Sequence, residues 1–531
     1  MQTLKSSANL DQNLAQNESP INVVSRVVAF DKCIGCGVCA ATCPSDVLSM
    51  QMAQNGQFYP RQIPGCNPKC DVCLRVCPFY EKSLFEDKIN EQIWGDLPNF
   101  TRDLGRFCGS YVYYKADENE RLKSASGGAG HAIFSELFDQ NLIDYAICAM
   151  PYESKNLDKK RLEFDENLCE KNRQFIDEIS TEFSPNFDEK EQNLLFKFQI
   201  LSNKNELNSA RKSAYYPLNL EETLKFILKT DARFAISALP CFAKALRLGM
   251  QKNARLKKRI CFIIGLVCGQ GKSANFTKKV ANLAFENEKL SHHNKQTSSQ
   301  NSMENLGANC EQISLCAVDF RTKFADKNAM QFGFTFHAKN GAKAIDKREK
   351  SAFNWWSSRA FTPRACNYCV DVFAKCADVV LMDAWLEPYF RDFRGHSLVL
   401  TRNEKIDEIF TKFCINSQNK SENLTQNKHR KKDNKTSDFC EQISSNLVLL
   451  SQNAVTQNKN DIFFGTKNPL KRFILRKKME IQTMSGRSFD CDIFVEKRIK
   501  SIKFASKISA QIATARYIFR KIINKIFRKT R

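Results

Sequence analysis

Apolar residues recur along this chain at strand and helix lengths, separated by polar stretches of unequal size. Val23 to Phe30 and Val47 to Met52 read as short strands. Tyr111-Val-Tyr-Tyr-Lys115 alternates as a strand does, a helix is predicted from His131 to Gln140, and Ile143 to Ala149 reads as a strand again. Phe234 to Leu239 and Arg259 to Val267 are apolar enough for buried strands, with a helix, Phe242 to Met250, between them. Asp319 to Thr322, Phe332 to Ala338, Ala377 to Trp385 and Gly395 to Arg402 are further strand candidates. Strands alternating with helices predict an α/β body.

The polar stretches divide the chain. Residues 1–22 read as a loose arm, 23–85 as a first small domain, 86–107 as a linker and 107–402 as the main domain. Residues 151–208 are charged and read as an insertion, with exposed helices over Glu170–Ile179 and Phe187–Phe198. Segments 284–312 and 415–437 are rich in Asn, Gln, Ser and Lys, as surface insertions are. Residues 403–465 form an Asn/Lys-rich variable segment and 466–531 a basic helical tail. The run Cys310-Glu-Gln-Ile-Ser314 recurs as Cys440-Glu-Gln-Ile-Ser444, and no physical reason explains it.

The strongest chemical signal lies in the first small domain. Cys33, Cys36, Cys39 and Cys43 precede Pro44, and Cys66, Cys70, Cys73 and Cys77 precede Pro78. Three thiolates three residues apart wrap one face of a cubane, and the fourth, before a proline that turns the chain away, closes the other group's cluster. This pairs Cys33, Cys36 and Cys39 with Cys77, and Cys66, Cys70 and Cys73 with Cys43. The alternatives are a zinc ribbon or a disulfide framework, but zinc sites use two pairs of ligands rather than runs of three plus one. Two 4Fe–4S clusters, used for electron transfer, are expected.

Composition and charge narrow the setting. The chain has 531 residues, 42% hydrophobic, enough for several domains with buried cores. The first 20 residues are polar, without a signal-peptide pattern, and no apolar run reaches bilayer length. The 22 cysteines are therefore expected as thiols or metal ligands in a reducing cytoplasm. Net charge is +23, of which residues 466–531 contribute +15, from 19 Lys or Arg against 4 Asp or Glu. So local an excess points to an anionic surface beside the tail rather than to nucleic acid. From Ile508, apolar residues recur at Ile512, Ala515, Phe519, Ile522, Ile523, Ile526 and Phe527, a helical stripe with Lys and Arg elsewhere. Such a helix can lie on the inner face of a membrane or dock on the protein's own core.

The ordered motifs resemble the coenzyme F420 hydrogenase/dehydrogenase beta-subunit family. They are the ferredoxin cysteines, Ser124-Ala-Ser-Gly-Gly128, Arg211-Lys-Ser-Ala-Tyr-Tyr216, Leu239-Pro-Cys241, Ile264-Gly-Leu-Val-Cys268, Asp319-Phe-Arg321, Cys366-Asn-Tyr-Cys369, Ala377-Asp378 through Asp383-Ala-Trp385, and Arg394-Gly-His-Ser397. The resemblance implies an α+β or α/β fold. A two-cluster ferredoxin-like domain would precede a mixed α/β flavin-binding domain and the basic helical tail. It also implies FAD and iron–sulfur clusters, with electrons passed to or from an organic substrate or a deazaflavin. Two departures fall near the presumed redox centre: Ser-Ala-Leu-Pro before Cys241 and Leu-Met before Asp383, where relatives carry glycine.

Several residues then become candidates. Ser124, Ser126, Gly127 and Gly128 could cradle a flavin pyrophosphate at a helix start, or form an ordinary N-cap. Arg211 and Lys212 could neutralise phosphate, or be surface charges. Cys241, Cys268, Cys366 and Cys369 could hold a third cluster, with Cys376 in reserve, or be inert buried thiols. His131 and His396 could donate a proton, or be structural. Asp383 could hold a ring nitrogen or ribose hydroxyl, or cap a turn. The function expected is an iron–sulfur flavoprotein oxidoreductase served by an electron donor or acceptor protein. Its substrate class is F420-like or, second, a surface-polysaccharide precursor. The alternative is a non-catalytic electron-transfer subunit.

Overall fold

The computed structural model describes residues 21–152, 194–296, 313–347, 352–426 and 438–529. Its strands are β1 (Leu48–Met52), β2 (Phe58–Gln62), β3 (Asn99–Thr101), β4 (Gly105–Phe107), β5 (Ser110–Tyr114), β6 (Tyr145–Pro151), β7 (Phe196–Leu201), β8 (Phe234–Ala238), β9 (Ile260–Leu266), β10 (Leu315–Thr322), β11 (Gly333–Ala338), β12 (Lys343–Asp346), β13 (Val379–Asp383), β14 (Ser397–Thr401) and β15 (Phe439–Gln442).

Eight of them form one mixed sheet in the order β15-β5-β14-β13-β9-β8-β6-β7. β13, β9, β8 and β6 run parallel, while β14 is antiparallel to both β13 and β5. β5 therefore points the same way as β13. The C-terminal ends of β5, β8, β9 and β13 meet the start of β14 along a single edge, the edge where α/β sheets gather ligands.

Alternation along these strands divides two cores. Ala235, Ile264, Val379, Leu381 and Val399 face the helices Ala129–Asp139 and Glu404–Gln426. Phe234, Ile236, Ile263, Val380 and Met382 face the helix Pro240–Lys252 and the N-terminal cysteine region. Burial on both faces is why β8 and β9 read as continuous apolar runs. A second sheet, β10-β11-β12, builds a third core from Phe320, Phe334 and Phe336. The helices Pro469–Arg487 and Asp492–Lys529 enter that core through Ile481 and Val495.

The N-terminal region is fused to the body. Leu220 N–H donates to the Cys36 carbonyl at 2.9 Å, and Ala274 N–H to that of Gly56 at 2.8 Å. Val38 packs where a side chain on Gly249 would sit, 3.2 Å from the position of its Cβ.

Several local expectations are corrected. Val23–Arg26 is a helix and Val28–Phe30 a 3₁₀ turn, not a strand. Asn22 Oδ1 accepts from Val24 and Ser25 N–H at 2.9 and 3.2 Å while Ser25 Oγ accepts from Asn22 N–H, a capping box that overrides β-propensity. The expected linker contains the helix Glu86–Trp94, which buries Ile89 and Trp94, and the β3–β4 hairpin. Phe196–Phe198, expected in an exposed helix, lies in β7 and pairs with β6. The expected helix Glu170–Ile179, and Cys310, fall outside the described residues. The helices Ala274–Gln296 and Glu404–Gln426 run on through parts of both Asn-rich segments. β15 extends the main sheet well past residue 402. The mixed α/β body, the ferredoxin-like N-terminal region and the helical C-terminal region agree with the sequence reading.

Candidate redox centre

The N-terminal cysteines form two adjoining sets. Cys39, buried on the short helix Val38–Ala41, lies within electrostatic reach of Cys33, Cys36 and Cys77, and also of Cys73 in the adjoining set. Cys73, on Val72–Arg75, lies within reach of Cys43, Cys66 and Cys70. Cys77 thus lies beside the first group of cysteines and Cys43 beside the second. Gly35 (φ +76°) and Gly37 (φ +81°) permit the tight loop, and a Cβ on Gly35 would meet the Phe58 carbonyl at 2.7 Å.

Backbone donors point at these sulfurs. Gly35 N–H reaches Cys33 Sγ at 3.3 Å. Val38 donates to Cys36, Phe79 and Tyr80 to Cys77, and Val23 to Cys73. Burial pushes the Cys36 thiol up to about 11 and the Cys77 thiol up to about 12, a cost that a cationic iron core reverses. Four thiols per set, with amide donors to sulfur, fit a 4Fe–4S cage. Among the described residues, no group of three or more His, Cys, Asp or Glu is disposed to hold a single metal ion. In a cubane each thiolate binds a different iron, so its ligands do not converge on one point.

The main sheet assembles the third set. Leu239 follows β8, Pro240 starts the next helix, and Cys241 lies in its first turn. Cys268 follows β9. Cys366 and Cys369 sit on and just after the 3₁₀ turn Arg364–Tyr368. Cys241 is within electrostatic reach of Cys268, Cys366, Cys369 and also Cys36. All four line one cavity with Ile34 and Phe79 of the N-terminal region. Gly271 N–H donates to Cys366 Sγ at 3.3 Å, and burial pushes Cys268 up to about 12. Cys376 is fully buried beside Asp371, Glu86, Lys244 and Arg247, and does not line this cavity.

The glycine-rich turn follows β5 and the helix Glu118–Lys123, at the same sheet edge. Gly128, at φ +92°, precedes the helix Ala129–Asp139, which has no side-chain cap. The hydroxyls of Ser124 and Ser126 are both engaged within the turn. Ser124 Oγ donates to the Glu120 carbonyl at 2.9 Å, and Ser126 Oγ to that of His396 at 2.6 Å. Gly127 is held by packing, since a Cβ there would lie 2.3 Å from Tyr113 O and 2.6 Å from Ser397 N. Arg211 is buried rather than a surface charge. It pairs with Glu120, bonds Asn208, and approaches His131 Nε2 at 3.0 Å. Lys212 is half-buried and pairs with Asp319 at 3.3 Å.

Cations missed by the sequence reading complete this edge. Arg321 Nε donates to the Ala125 carbonyl at 3.1 Å, and its other end pairs with Asp383. Lys323 Nζ donates to the carbonyls of Arg121, at 2.8 Å, and Ser126, at 3.2 Å. Burial, with Lys212, Arg321 and Arg121 nearby, lowers Lys323 to about 7. Beside Arg321 lies an apolar chamber walled by Tyr215, Phe332, Phe334, Trp356 and Trp385. Trp385 Nε1 and Arg321 Nη1 are buried without hydrogen-bond partners. The Trp356 carbonyl accepts from Gln270 at 2.8 Å, and Gln270 lines the third thiol cavity, so chamber and cavity adjoin. Arg321 and Trp385 stand within the family motifs, which is the signal that could have found them.

The histidines are structural in their contacts. His396 Nδ1 lies 3.1 Å from the Tyr389 carbonyl, with its ring against Tyr114 and Tyr389. Burial, then Arg121, lowers it to about 4. Burial, then Lys115 and Arg211, lowers His131 to about 4. Both are neutral at pH 7.

Residues 26–49 match the 4Fe-4S binding domain. An uncharacterized ferredoxin of Methanocaldococcus jannaschii is 36% identical over 55 residues, 10% of this chain and 70% of that protein. A chain of the F420-reducing NiFe hydrogenase complex from Methanosarcina barkeri aligns over 72% of this chain and 96% of its own, at 14% identity and a TM-score of 0.40. Residues 231–427, which hold Cys241, Cys268, Cys366, Cys369 and Asp383, match the C terminus of the coenzyme F420 hydrogenase/dehydrogenase beta subunit. A 4Fe–4S ferredoxin region is thus followed by a region that matches the C terminus of the coenzyme F420 hydrogenase/dehydrogenase beta subunit, the family that the sequence motifs resemble.

Proposed function

We propose that this iron–sulfur protein is a flavin-dependent oxidoreductase carrying electrons from the two N-terminal thiol sets, through a third cluster, to FAD and an organic substrate. The supporting observation is contiguity. Cys36 lies within reach of Cys241, and the third thiol cavity adjoins an aromatic chamber with two unpartnered donors. Cys33, Cys36, Cys39 and Cys77 would hold one cluster, and Cys43, Cys66, Cys70 and Cys73 the second. Cys241, Cys268, Cys366 and Cys369 would hold the third. FAD, when bound, supplies the conversion of single electrons to pairs. For that group the chain offers flat apolar walls, the donors Trp385 Nε1 and Arg321 Nη1, and the uncapped start of the helix at Ala129 near Lys323. Of the residues singled out in the sequence, Gly128 and Lys212 fit this role best, while Ser124, Ser126 and Arg211 shape the turn. Asp383 fixes Arg321. A deazaflavin or a surface-polysaccharide precursor would serve as substrate.

Anaerobic purification with iron and flavin analysis tests this reading. About 12 Fe per chain, four per cubane, and stoichiometric FAD are expected. Iron without flavin favours the alternative of a pure electron carrier. Stoichiometric zinc without an EPR signal after reduction rejects the clusters.

The tail suggests where the protein works. The helix Asp492–Lys529 packs on the body through Val495, Ile499 and Ala505, and residues 510–515 are exposed. From Lys500 to the C-terminus there are 10 Lys or Arg and no acid. No helix among the described residues is long and apolar enough to cross a membrane. The tail is proposed to lie on an anionic membrane surface. Sedimentation with anionic vesicles, reversed by salt and abolished by deleting residues 506–531, is the expected result. Equal binding without the tail rejects it.

A further inference from the structure

The four thiols of the third set receive unequal support. Cys268 accepts from Gln270 N–H, and Cys366 from Gly271 N–H at 3.3 Å. Cys241 sits in the first turn of a helix, where N–H groups point outward. Cys369 accepts instead from a full charge, Lys459 Nζ, at 3.3 Å. Lys459 is only 3% exposed, and its second hydrogen bond, 2.7 Å to the Asp371 carbonyl, aims the ammonium at the sulfur.

This lysine comes from outside the matched family region, which ends at residue 427. It lies on the helix Asn453–Phe464, and that helix is fixed over the cavity by its own contacts. Ser451 and Gln452, at its start, donate to the Asp383 carbonyl at 3.1 and 3.3 Å. Val455 packs 3.0 Å from where a Cβ on Gly269 would stand. Lys272, the other buried lysine nearby, spends its Nζ on the Trp356 and Ala360 carbonyls and Thr362 Oγ1. Among the described residues, no Lys or Arg hydrogen-bonds to a sulfur of either N-terminal set. Those sulfurs accept from backbone N–H groups and from the Asn22 amide.

We infer that Lys459 raises the reduction potential of the cluster held by Cys241, Cys268, Cys366 and Cys369 above those of the N-terminal clusters, so that electrons run inward. The inference rests on the third-cluster reading proposed above. Reduction adds one negative charge to a cluster. A buried ammonium bonded to a ligand sulfur stabilises that added charge more than neutral amides do. In each transfer one N-terminal cluster loses one electron and the inner cluster gains it. No bond is made or broken, and no proton is required. Lys459 tunes and orients the site; it is not a catalytic residue.

EPR-monitored redox titration of the full chain, purified anaerobically, tests this, with iron counted in every sample. Lys459→Gln should lower the midpoint of one cluster by a tenfold change in the reduced-to-oxidised ratio, about 59 mV for one electron. The other two midpoints should stay fixed, and Lys459→Arg should restore most of the shift. An unchanged midpoint at full iron content overturns the role of Lys459. Independently of whether that variant holds its iron, Cys241→Ala in the otherwise native chain must remove the signal of highest potential. Loss of a low-potential signal instead overturns the inference. A native chain with about 8 Fe and no third signal rejects the third cluster itself, a different failure.

Discussion

The N-terminal thiol sets and the third set bring the same ligand together by opposite means. Eight cysteines between Cys33 and Cys77 meet through short helices and glycine loops within one small region. The third set takes one thiol after β8, one after β9 and two from a 3₁₀ turn, and a helix from beyond residue 450 supplies the charge beside them. Local spacing suffices for the first arrangement. The second exists only because β8 and β9 are parallel neighbours whose C-terminal ends open on the same edge. The surroundings differ accordingly: amide donors around the first two sets, a buried ammonium beside the third.

The comparison breaks first at the cysteines. Cys241→Ala should lower iron from about 12 to about 8 per chain and leave the other clusters intact. Cys39→Ala, inside the N-terminal core, should cost at least as much iron and reduce the yield of folded protein. Equal, limited iron loss in both would mean that the two regions are no different in kind.

The scaffold offers the next test. Arg247 pairs with Asp378 at 2.7 Å, and Asp378 accepts from Ile263 N–H at 2.7 Å, stitching β9 to the start of β13. Arg247→Met leaves a buried carboxylate unpaired, which typically costs about 3–5 kcal/mol. Urea titration should show that loss, and third-cluster absorbance should fade before that of the N-terminal sets.

A smaller effect is expected at the glycine turn. Gly127→Ala places a methyl against Tyr113 O and Ser397 N, a strain on the order of 1–3 kcal/mol, visible as a lower Tm. Flavin loss at an unchanged Tm would assign Gly127 to the ligand instead of the sheet.

The smallest effect concerns pH. Burial holds His131 and His396 at about 4 in the fold, below the ordinary value of 6.5. The unfolded chain therefore binds more protons between those values. The contribution is fully present above about 6.5 and is lost as pH falls towards 4. The urea midpoint should drop between pH 7 and pH 5, and by less when both histidines are replaced by Asn.

Much of the main sheet was legible because its central strands are buried on both faces and flanked by turn residues. The misreadings have local physical causes. Val23–Phe30 carried strand-forming residues, but Asn22 and Ser25 close a capping box that periodicity does not register. Phe196 and Phe198 alternate as a strand does, yet their charged surroundings suggested an exposed helix. Ser124 and Ser126 stayed open between a flavin cradle and an N-cap because sequence cannot tell whether a hydroxyl already has a carbonyl to serve.

By itself the sequence predicted that Cys33, Cys36 and Cys39 pair with Cys77 and Cys43 with Cys66, Cys70 and Cys73, because ligand spacing within one short region leaves the chain few other ways to close. It also determined the apolar strands and the basic tail, which need only periodicity and charge. The tertiary structure decided what the sheet edge collects: Cys241 beside Cys268, Arg321 against Asp383, Trp385 Nε1 without a partner, and Lys459 at Cys369. Those contacts span from 62 residues of chain, Arg321 to Asp383, to 90, Cys369 to Lys459, with Cys241 and Cys268 nearer in sequence. They depend on strand order and helix placement, which no local pattern encodes.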